Sequence, residues 1–411
     1  MARCRRFFKN GLSALMSLDR PNELTRVITD QVEAIEPALI ALRRDIHAHP
    51  EIGFETVRTA ALVASELERI GLKPQRGVGR VGVVAEIEGG APGPCLLIRA
   101  DMDALPMEEL TGLPFASTIP GKMHACGHDI HTATLLGAGT VLKNLAPMLR
   151  GSVRLVFQPA EETVESGAAA MVADGAADGV AMALAFHNRP EMPVGRFGYV
   201  RGASTASSDE FDVVVHGRSG HAARPHAAVD PIVAASAMIM QLQTAISRVM
   251  DPSQSAVLTI GHIAGGSTHN IIPDSCMFQG TVRCRSAASR DTMEATFRRI
   301  CEGVGAAMGV TCEISYIRGA PALVNDDGVV DAAVRSVSAQ FGAEMIDQLE
   351  GRFGAEDFSY FSERIPSCQL LVGASQPGRN DRVHNSDYQP DERCIGLGVA
   401  ALVRTAVDVL S

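Results

Sequence analysis

The chain has 411 residues and a mass of 43.4 kDa, with 46% hydrophobic and 20% charged residues, a balance that excludes a wholly disordered chain and allows two or three domains. Thirty-seven Lys and Arg against 47 Asp and Glu leave a net charge of −10, which argues against a nucleic-acid surface. Aromatics at 4% and the absence of Trp argue against stacking platforms for bases or sugars.

In chain order, the basic N-terminus MARCRRFFKNGLSALMS reads as an extension over residues 1–20, since its apolar part is short and lacks an Ala-x-Ala site. Residues 22–47 carry apolar positions at helical spacing, and Thr56–Ile70 predicts a second helix closed by Gly71. Strands are predicted at 81–89 and 94–101, the latter continuously apolar from Cys95 to Ile98 like a strand covered on both faces. A helix over His131–Leu145, a strand leading through 152–162, a helix in GAAAMVADGA and a strand at 180–188 follow. This alternation implies an α/β fold with a mostly parallel sheet.

The texture changes near residue 198. A Gly/Ser-rich crossing is followed by FDVVVHG, a helix from Asp230 to about Val249, AVLTIGHIAGG, CMFQGTVRC, a helix over 290–307 and VTCEISYI. This is the β-α-β-β-α-β outline of a ferredoxin-like α+β domain. The expected organisation is therefore a catalytic domain of residues 21–199 and 318–411, interrupted by an inserted domain at 200–317. No apolar run approaches the ~18 residues needed to cross a bilayer, so no membrane partner is expected. Nine scattered Cys, an odd number without framework spacing, point to a reducing, cytoplasmic compartment.

Open α/β sheets place ligands at the carboxyl ends of their strands. Here those ends carry Asp101-Met102-Asp103, Glu161-Glu162 and His187, with MHACGHD (His124, Cys126, His128, Asp129) between the first two. Any one of them could be a cap or a satisfied core group, but four successive clusters of metal-ligand types make a metal site the better reading. Cys-x-His with Gly between can fold a thiolate and an imidazole inward, and no second Cys pair is present to close a structural zinc site. The mixed S, N, O donor set suits a catalytic transition metal. Adjacent carboxylates after a buried strand are costly unless a cation neutralises at least one. One of the Glu161-Glu162 pair can then bind metal while the other takes a proton from the attacking water.

FQPAEE, HACGHD, RRDIHAHPE (43–51), GRSGHAARPH (217–226), HNIIPD (269–274) and GAEDFSYF (354–361) together resemble one family. It is the amidohydrolase branch of the aminoacylase–carboxypeptidase metallopeptidases, which contains hippurate hydrolases and indole-3-acetyl-amino-acid hydrolases. The match runs in order from about residue 40 to the C-terminus. The resemblance implies two divalent ions (Mn, Zn, Ni or Co) held by Cys126, His128, Glu162, His187 and His384, with Cys126 as the bridge. It implies Glu161 as general base and proton shuttle, and an inserted domain that acts as lid and dimerises. His221 resembles the residue that stabilises the oxyanion, and Asn270, Arg283, His226 and Gly354 fall at substrate-binding positions. The wider family has His-x-Asp where this chain has Asp101-Met102-Asp103, so Asp103 is expected to orient a ligand.

The expected activity is metal-dependent cleavage of an N-acyl or N-aroyl amino acid, hippurate-like, by a homodimer or dimer-based oligomer. Rival readings are deacetylation of N-acetyl-amino acids or N-acetyl-diaminopimelate, dipeptide cleavage, or indole-3-acetyl-amino-acid hydrolysis. A rival of another class is a non-catalytic binding protein on the same scaffold.

Overall fold

The computed structural model describes residues 21–411, so the reading of residues 1–20 lies outside the described residues. The chain folds as two compact units, one of residues up to Gly202 with Val324–Glu350 and Tyr360–Ser411, the other of Ala203–Leu323 with Gly351–Ser359. The second unit thus takes in a short return segment, 351–359, that no composition shift marks.

The first unit opens with helix α1 (Pro21–His47) and helix α2 (Val57–Arg69). Pro21 sits at the first helical position, where its missing N–H costs nothing, and Arg44 and His47 lie in the last turn, where cations suit the helix dipole. Ile28, Val32, Leu39 and Ile46 form the buried stripe of α1. Strands β1 (Gln75–Val78), β2 (Gly82–Glu88) and β3 (Ala91–Asp101) follow, then α3 (His128–Leu145) and β4 (Arg150–Gln158). Helix α4 (Gly167–Ala173), β5 (Val180–Pro193) and β6 (Phe197–Tyr199) complete this stretch.

Helix α3 begins at His128, three residues before the expected start at His131. Gly127 at its N-cap is left-handed, with φ 97°, and offers no capping side chain, so the sequence carries no start signal there. Along α3, Gly137 is where α1 and the C-terminal helix come close: a Cβ there would lie 2.5 Å from Leu39 Cδ1 and 2.7 Å from Val399 Cγ2.

In the second unit, β7 (Asp209–His216), α5 (Pro231–Thr244), β8 (Ala256–Gly265), β9 (Ser275–Cys284), α6 (Ala287–Met308) and β10 (Thr311–Arg318) realise the β-α-β-β-α-β order. The sheet order is β8-β9-β7-β10 with every pair antiparallel, the ferredoxin-like arrangement. Asp230 caps α5 by accepting from Ile232 and Val233 N–H, and Ser286 caps α6 by accepting from Ser289 N–H.

One expectation is corrected in this unit. The continuous helical stretch Pro231–Val249 is long and apolar enough by composition to cross a bilayer. Its Ala234, Ala235, Met238 and Leu242 are instead buried in a core with Phe211, Phe278 and Phe297.

The chain then returns to the first unit through α7 (Asp327–Phe341), β11 (Ile346–Gln348), β12 (Ser367–Ser375) and α8 (Cys394–Val409). The eight-stranded sheet runs β1-β2-β4-β3-β5-β12-β6-β11. Its centre, β4-β3-β5-β12, is parallel, in registers such as Ile98↔Leu155, Ile98↔Leu184 and Leu184↔Cys368. Antiparallel pairs flank that centre, β1 on β2, β2 on β4, and β6 on β12. Helices pack over the central strands, which is why their middles, Leu96–Ile98, Leu155–Phe157, Ala183–Phe186 and Leu370–Val372, are buried and apolar without alternation. Because β3, β4 and β5 run the same way, the carboxyl ends of β3 and β4 deliver 101–103 and 159–162 to one edge of the sheet, and 187–188 join them just past the last β3–β5 pair, Arg99↔Ala185, although β5 continues to Pro193 beyond the expected end at 188.

Candidate metal centre

The loop between β3 and α3 brings Cys126 and His128 inward on either side of Gly127. A Cβ at Gly127 would lie 2.1 Å from Asn188 Nδ2, so the chain passes there only as glycine. Starting α3 at His128 puts His128 and His131 on one helix face, with rings stacked at 5.4 Å.

The donor atoms of Cys126, His128 and His187 lie within 4.8 Å of one another, as do those of Cys126, Glu162 and His384, and those of His128, Glu161 and Glu162. All five residues expected as ligands are therefore brought together, and Cys126 belongs to two of the three groups. Cys126 Sγ is 3.5 Å from His187 Nε2, and His384 Nε2 is 3.1 Å from Glu162 Oε1. Neither ring nitrogen of His128 nor Oε1 of Glu162 makes a well-formed hydrogen bond, although all three atoms are buried. Sulfur, imidazole and carboxylate donor atoms that converge on shared space, three of them buried without a well-formed hydrogen bond, fit a cation there, so the residues suit divalent metal. His187 donates from Nδ1 to the carbonyl of Asn188 at 2.7 Å, which fixes the tautomer and frees Nε2 as the donor atom. His384 is held at φ 63°, its N–H donating to Ala125 O at 2.7 Å.

Burial, with Glu162 beside it, pushes the Cys126 thiol well up, so only a strongly cationic partner makes it a thiolate. Burial works against ionisation of Glu162 too, but His384 and His128 outweigh it and hold the carboxyl below its usual value. His384 is correspondingly raised by its contact with Glu162. The two groups read from sequence as one strand-end cluster separate in role. Asp101 is held by Arg99 Nη1 at 2.6 Å and His131 Nδ1 at 2.5 Å. Asp103 accepts the backbone N–H of Glu161 at 3.0 Å and of Glu162 at 3.1 Å, and lies 3.4 Å from His128 Nδ1. It thus ties the Glu pair to a ring of the same cluster. His124 is buried with neither ring nitrogen hydrogen-bonded, and burial pushes its pKa down to about 3, so it stays neutral.

The other expected residues lie in the second unit. His221 is exposed in a two-residue ladder with Ile271, and its Nδ1 accepts from Ala223 N–H at 3.0 Å, which leaves the proton on Nε2. Asn270 is exposed, and its carbonyl accepts from Ala222 N–H at 3.1 Å. Arg283 is half-buried on β9 opposite Val257, and His226 is exposed on a short 3-10 turn. Gly354 accepts from Ala206 N–H at 3.0 Å, and no side chain crowds it.

Sequence reasoning missed the groups that hold the ligands. Arg43 Nε and His47 Nδ1 each reach Asp129 Oδ2 at 2.7 Å, while His47 Nε2 lies 3.2 Å from Glu109 Oε1. This bolts the last turn of α1 to the first turn of α3. The signal available was Arg43 and His47 at i, i+4 on one face of an otherwise apolar helix. For Asn188, whose Nδ2 donates to the Cys126 carbonyl at 2.8 Å, and Tyr388, whose hydroxyl donates to Asn188 Oδ1, no local signal exists.

A two-unit α/β hydrolase with a cluster of buried thiol, imidazole and carboxylate donors at the carboxyl edge of its sheet is the class that fold and site define. The profile of peptidase family M20/M25/M40 matches residues 97–408, and the chain belongs to that family. It is 40% identical over 364 residues to the N-acetyl-L-cysteine deacetylase of Bacillus subtilis, covering 89% of this chain and 86% of that protein. It is 35% identical over 394 residues to thermostable carboxypeptidase 1 of Saccharolobus solfataricus, covering 94% and 98%. Among solved structures, the Bacillus subtilis YxeP protein, a dinuclear metal-binding peptidase of the M20 family, matches with a TM-score of 0.81 at 34% identity, covering 92% and 99%. The chain is an amide-hydrolysing, divalent-metal enzyme of this family.

Proposed function

We propose that the enzyme cleaves the amide of N-acyl or N-aroyl amino acids, hippurate-like substrates, to a carboxylic acid and an amino acid. The observation that carries the reading is the convergence of Cys126, His128, Glu162, His187 and His384 donor atoms beside a carboxylate, Glu161, that is partly open to solvent. These five residues would hold two divalent ions of the Mn, Zn, Ni or Co class, with Cys126 common to both. Such ions supply Lewis acidity toward the carbonyl and a lowered pKa for water.

The chain's own groups do the rest. Glu161 takes the proton of the attacking water and delivers it to the leaving nitrogen. Asp103 holds the Glu161 and Glu162 amides, so the carboxylate that moves the proton starts from a fixed backbone. His221, with its proton on Nε2, is the donor assigned to the developing oxyanion. Asn270 and Arg283 are assigned to the substrate carbonyl and carboxylate, and His226 and Gly354 to substrate binding. The inserted domain, expected at 200–317, is taken as a lid that also pairs two copies. All eight described cysteines are unpaired, in keeping with a reducing, cytoplasmic setting.

A second reading of the substrate rests on the 40% identity to an N-acetyl-L-cysteine deacetylase, which favours a small acyl group. Turnover of hippurate against N-acetyl-cysteine and other N-acetyl-amino acids, with each candidate metal, decides between them. A higher kcat/KM on hippurate supports the aroyl reading, a higher value on N-acetyl-amino acids the second, and no turnover of either overturns both.

A further inference from the structure

We infer that Asn188 is a positioning residue that sets the place of the Cys126 sulfur relative to the histidine ligands, and so governs metal binding. The inference rests on the assignment of Cys126 as a ligand.

Asn188 is 1% exposed, and its side chain is engaged at both ends. Nδ2 donates to the Cys126 carbonyl at 2.8 Å and reaches His131 Nε2 at 2.9 Å, while Oδ1 accepts from the hydroxyl of the fully buried Tyr388. The orientation of the amide is settled by its neighbours: a carbonyl oxygen must face a donor and a hydroxyl proton must face an acceptor. The backbone N–H of Asn188 also points at His131 Nε2, at 3.1 Å. Nε2 of His131 therefore accepts, its proton resides on Nδ1, and that proton is donated to Asp101. Asp101 in turn is anchored by Arg99, whose Nε donates to Gln158 at 2.8 Å.

Three ligand-bearing segments meet at this one residue. Through its side chain it grips the backbone of Cys126. Through its own carbonyl it fixes the tautomer of His187. Through Tyr388 it reaches the loop that carries His384, four residues before Tyr388 in sequence. Gly127 is shaped to this contact, since any Cβ there would strike the amide. Cys126 is the residue in greatest need of such a hold. A thiolate on a glycine-flanked loop has no second atom to orient it, and the sulfur's own contact, to His187 Nε2, is a long one at 3.5 Å. Outer groups that orient ligands typically change metal affinity about 10- to 100-fold when removed.

The test uses wild type, Asn188→Ala and Tyr388→Phe, each loaded with Co2+. Three quantities are read: the thiolate-to-cobalt charge-transfer band in the near ultraviolet, the Co2+ affinity by chelator competition, and the melting temperature before loading. Asn188→Ala is expected to weaken Co2+ binding about 10- to 100-fold and to diminish or shift the thiolate band. Tyr388→Phe, which removes only the hydroxyl that orients the amide, is expected to move both in the same direction by less. A residue that served stability alone would lower the melting temperature and leave band and affinity at their wild-type values, and that result in both variants overturns the inference. If Asn188→Ala does not fold, Tyr388→Phe decides alone on the same criteria. A wild-type protein that binds Co2+ without a thiolate band overturns the assignment of Cys126, and this inference with it, whereas a normal wild-type band with unchanged variants overturns the inference only.

Discussion

Replacing Asp103 with Asn tests whether the carboxylate holds the Glu161-Glu162 pair in working position. Its two oxygens accept two consecutive backbone N–H groups, at 3.0 and 3.1 Å, directly after Ala160 at φ 53°. Asparagine keeps the shape and one acceptor, but its amide nitrogen then faces an N–H. One bond is lost and one partly buried donor is left unsatisfied, at a cost of about 1–3 kcal/mol. Against a stability on the order of 5–15 kcal/mol the fold survives with a lowered melting temperature. The effect on rate is larger, because a displacement of the base by about 1 Å costs on the order of 100-fold. Steady-state kinetics on an N-acyl amino acid, with metal content measured on the same samples, should show kcat down by roughly that factor while KM changes little. A variant with full metal, a lowered melting temperature and wild-type kcat would refute the positioning argument. Loss of metal in proportion to rate would instead trace the defect to His128, 3.4 Å from the same carboxylate.

Two further outcomes follow from the site. Cys126→Ser should lower bound metal well below the wild-type stoichiometry, since a serine hydroxyl is a far poorer donor than a thiolate for these ions; unchanged metal content returns Cys126 to ordinary packing. The His47 clamp gives stability a definite pH dependence. Burial and Arg43 work against charge on His47, but Asp129 and Glu109 raise its pKa above the usual value. Burial likewise works against ionisation of Glu109, but His47, Thr111 and the Ser117 N–H hold it below the usual value. The histidine's contribution is fully present below about pH 6.5 and is lost as pH rises through its higher folded value. The carboxylate's contribution is present above about pH 4.3 and is lost as pH falls through its lower folded value. Urea midpoints measured from pH 3 to 9 should fall on both sides of that window, and His47→Gln should flatten the alkaline side relative to wild type. An unchanged alkaline side in that variant would contradict a charged His47.

What could be read from sequence divides along a physical line. Cys126, His128, Glu161, Glu162 and His187 announce themselves because each follows or flanks an apolar strand or a glycine turn, where an ionisable group needs a reason to be. His384 sits in an irregular loop with no periodicity around it, and only the family resemblance points to it. The residues behind the ligands are less legible still. Asn188 follows a ligand and Tyr388 stands among turn residues, and their meeting, 200 residues apart, is a product of tertiary packing alone. His47 and Arg43 were visible as a polar pair on an apolar helix, yet their partner Asp129 read as part of the metal loop. The start of α3 at His128 is hidden for the same kind of reason: a left-handed glycine ends the loop without any capping side chain. The Pro231–Val249 stretch shows the converse, an apolar span whose place in the ferredoxin-like core only the sheet beneath it reveals.

The proposed chemistry turns on Glu161 moving the proton in a hydrolysis carried out at the Cys126–His128–Glu162–His187–His384 cluster. Turnover and metal content of Glu161→Gln on an N-acyl amino acid test it most directly. Full metal with kcat lowered by orders of magnitude is expected; near-wild-type turnover with full metal would remove Glu161 from the proton transfer.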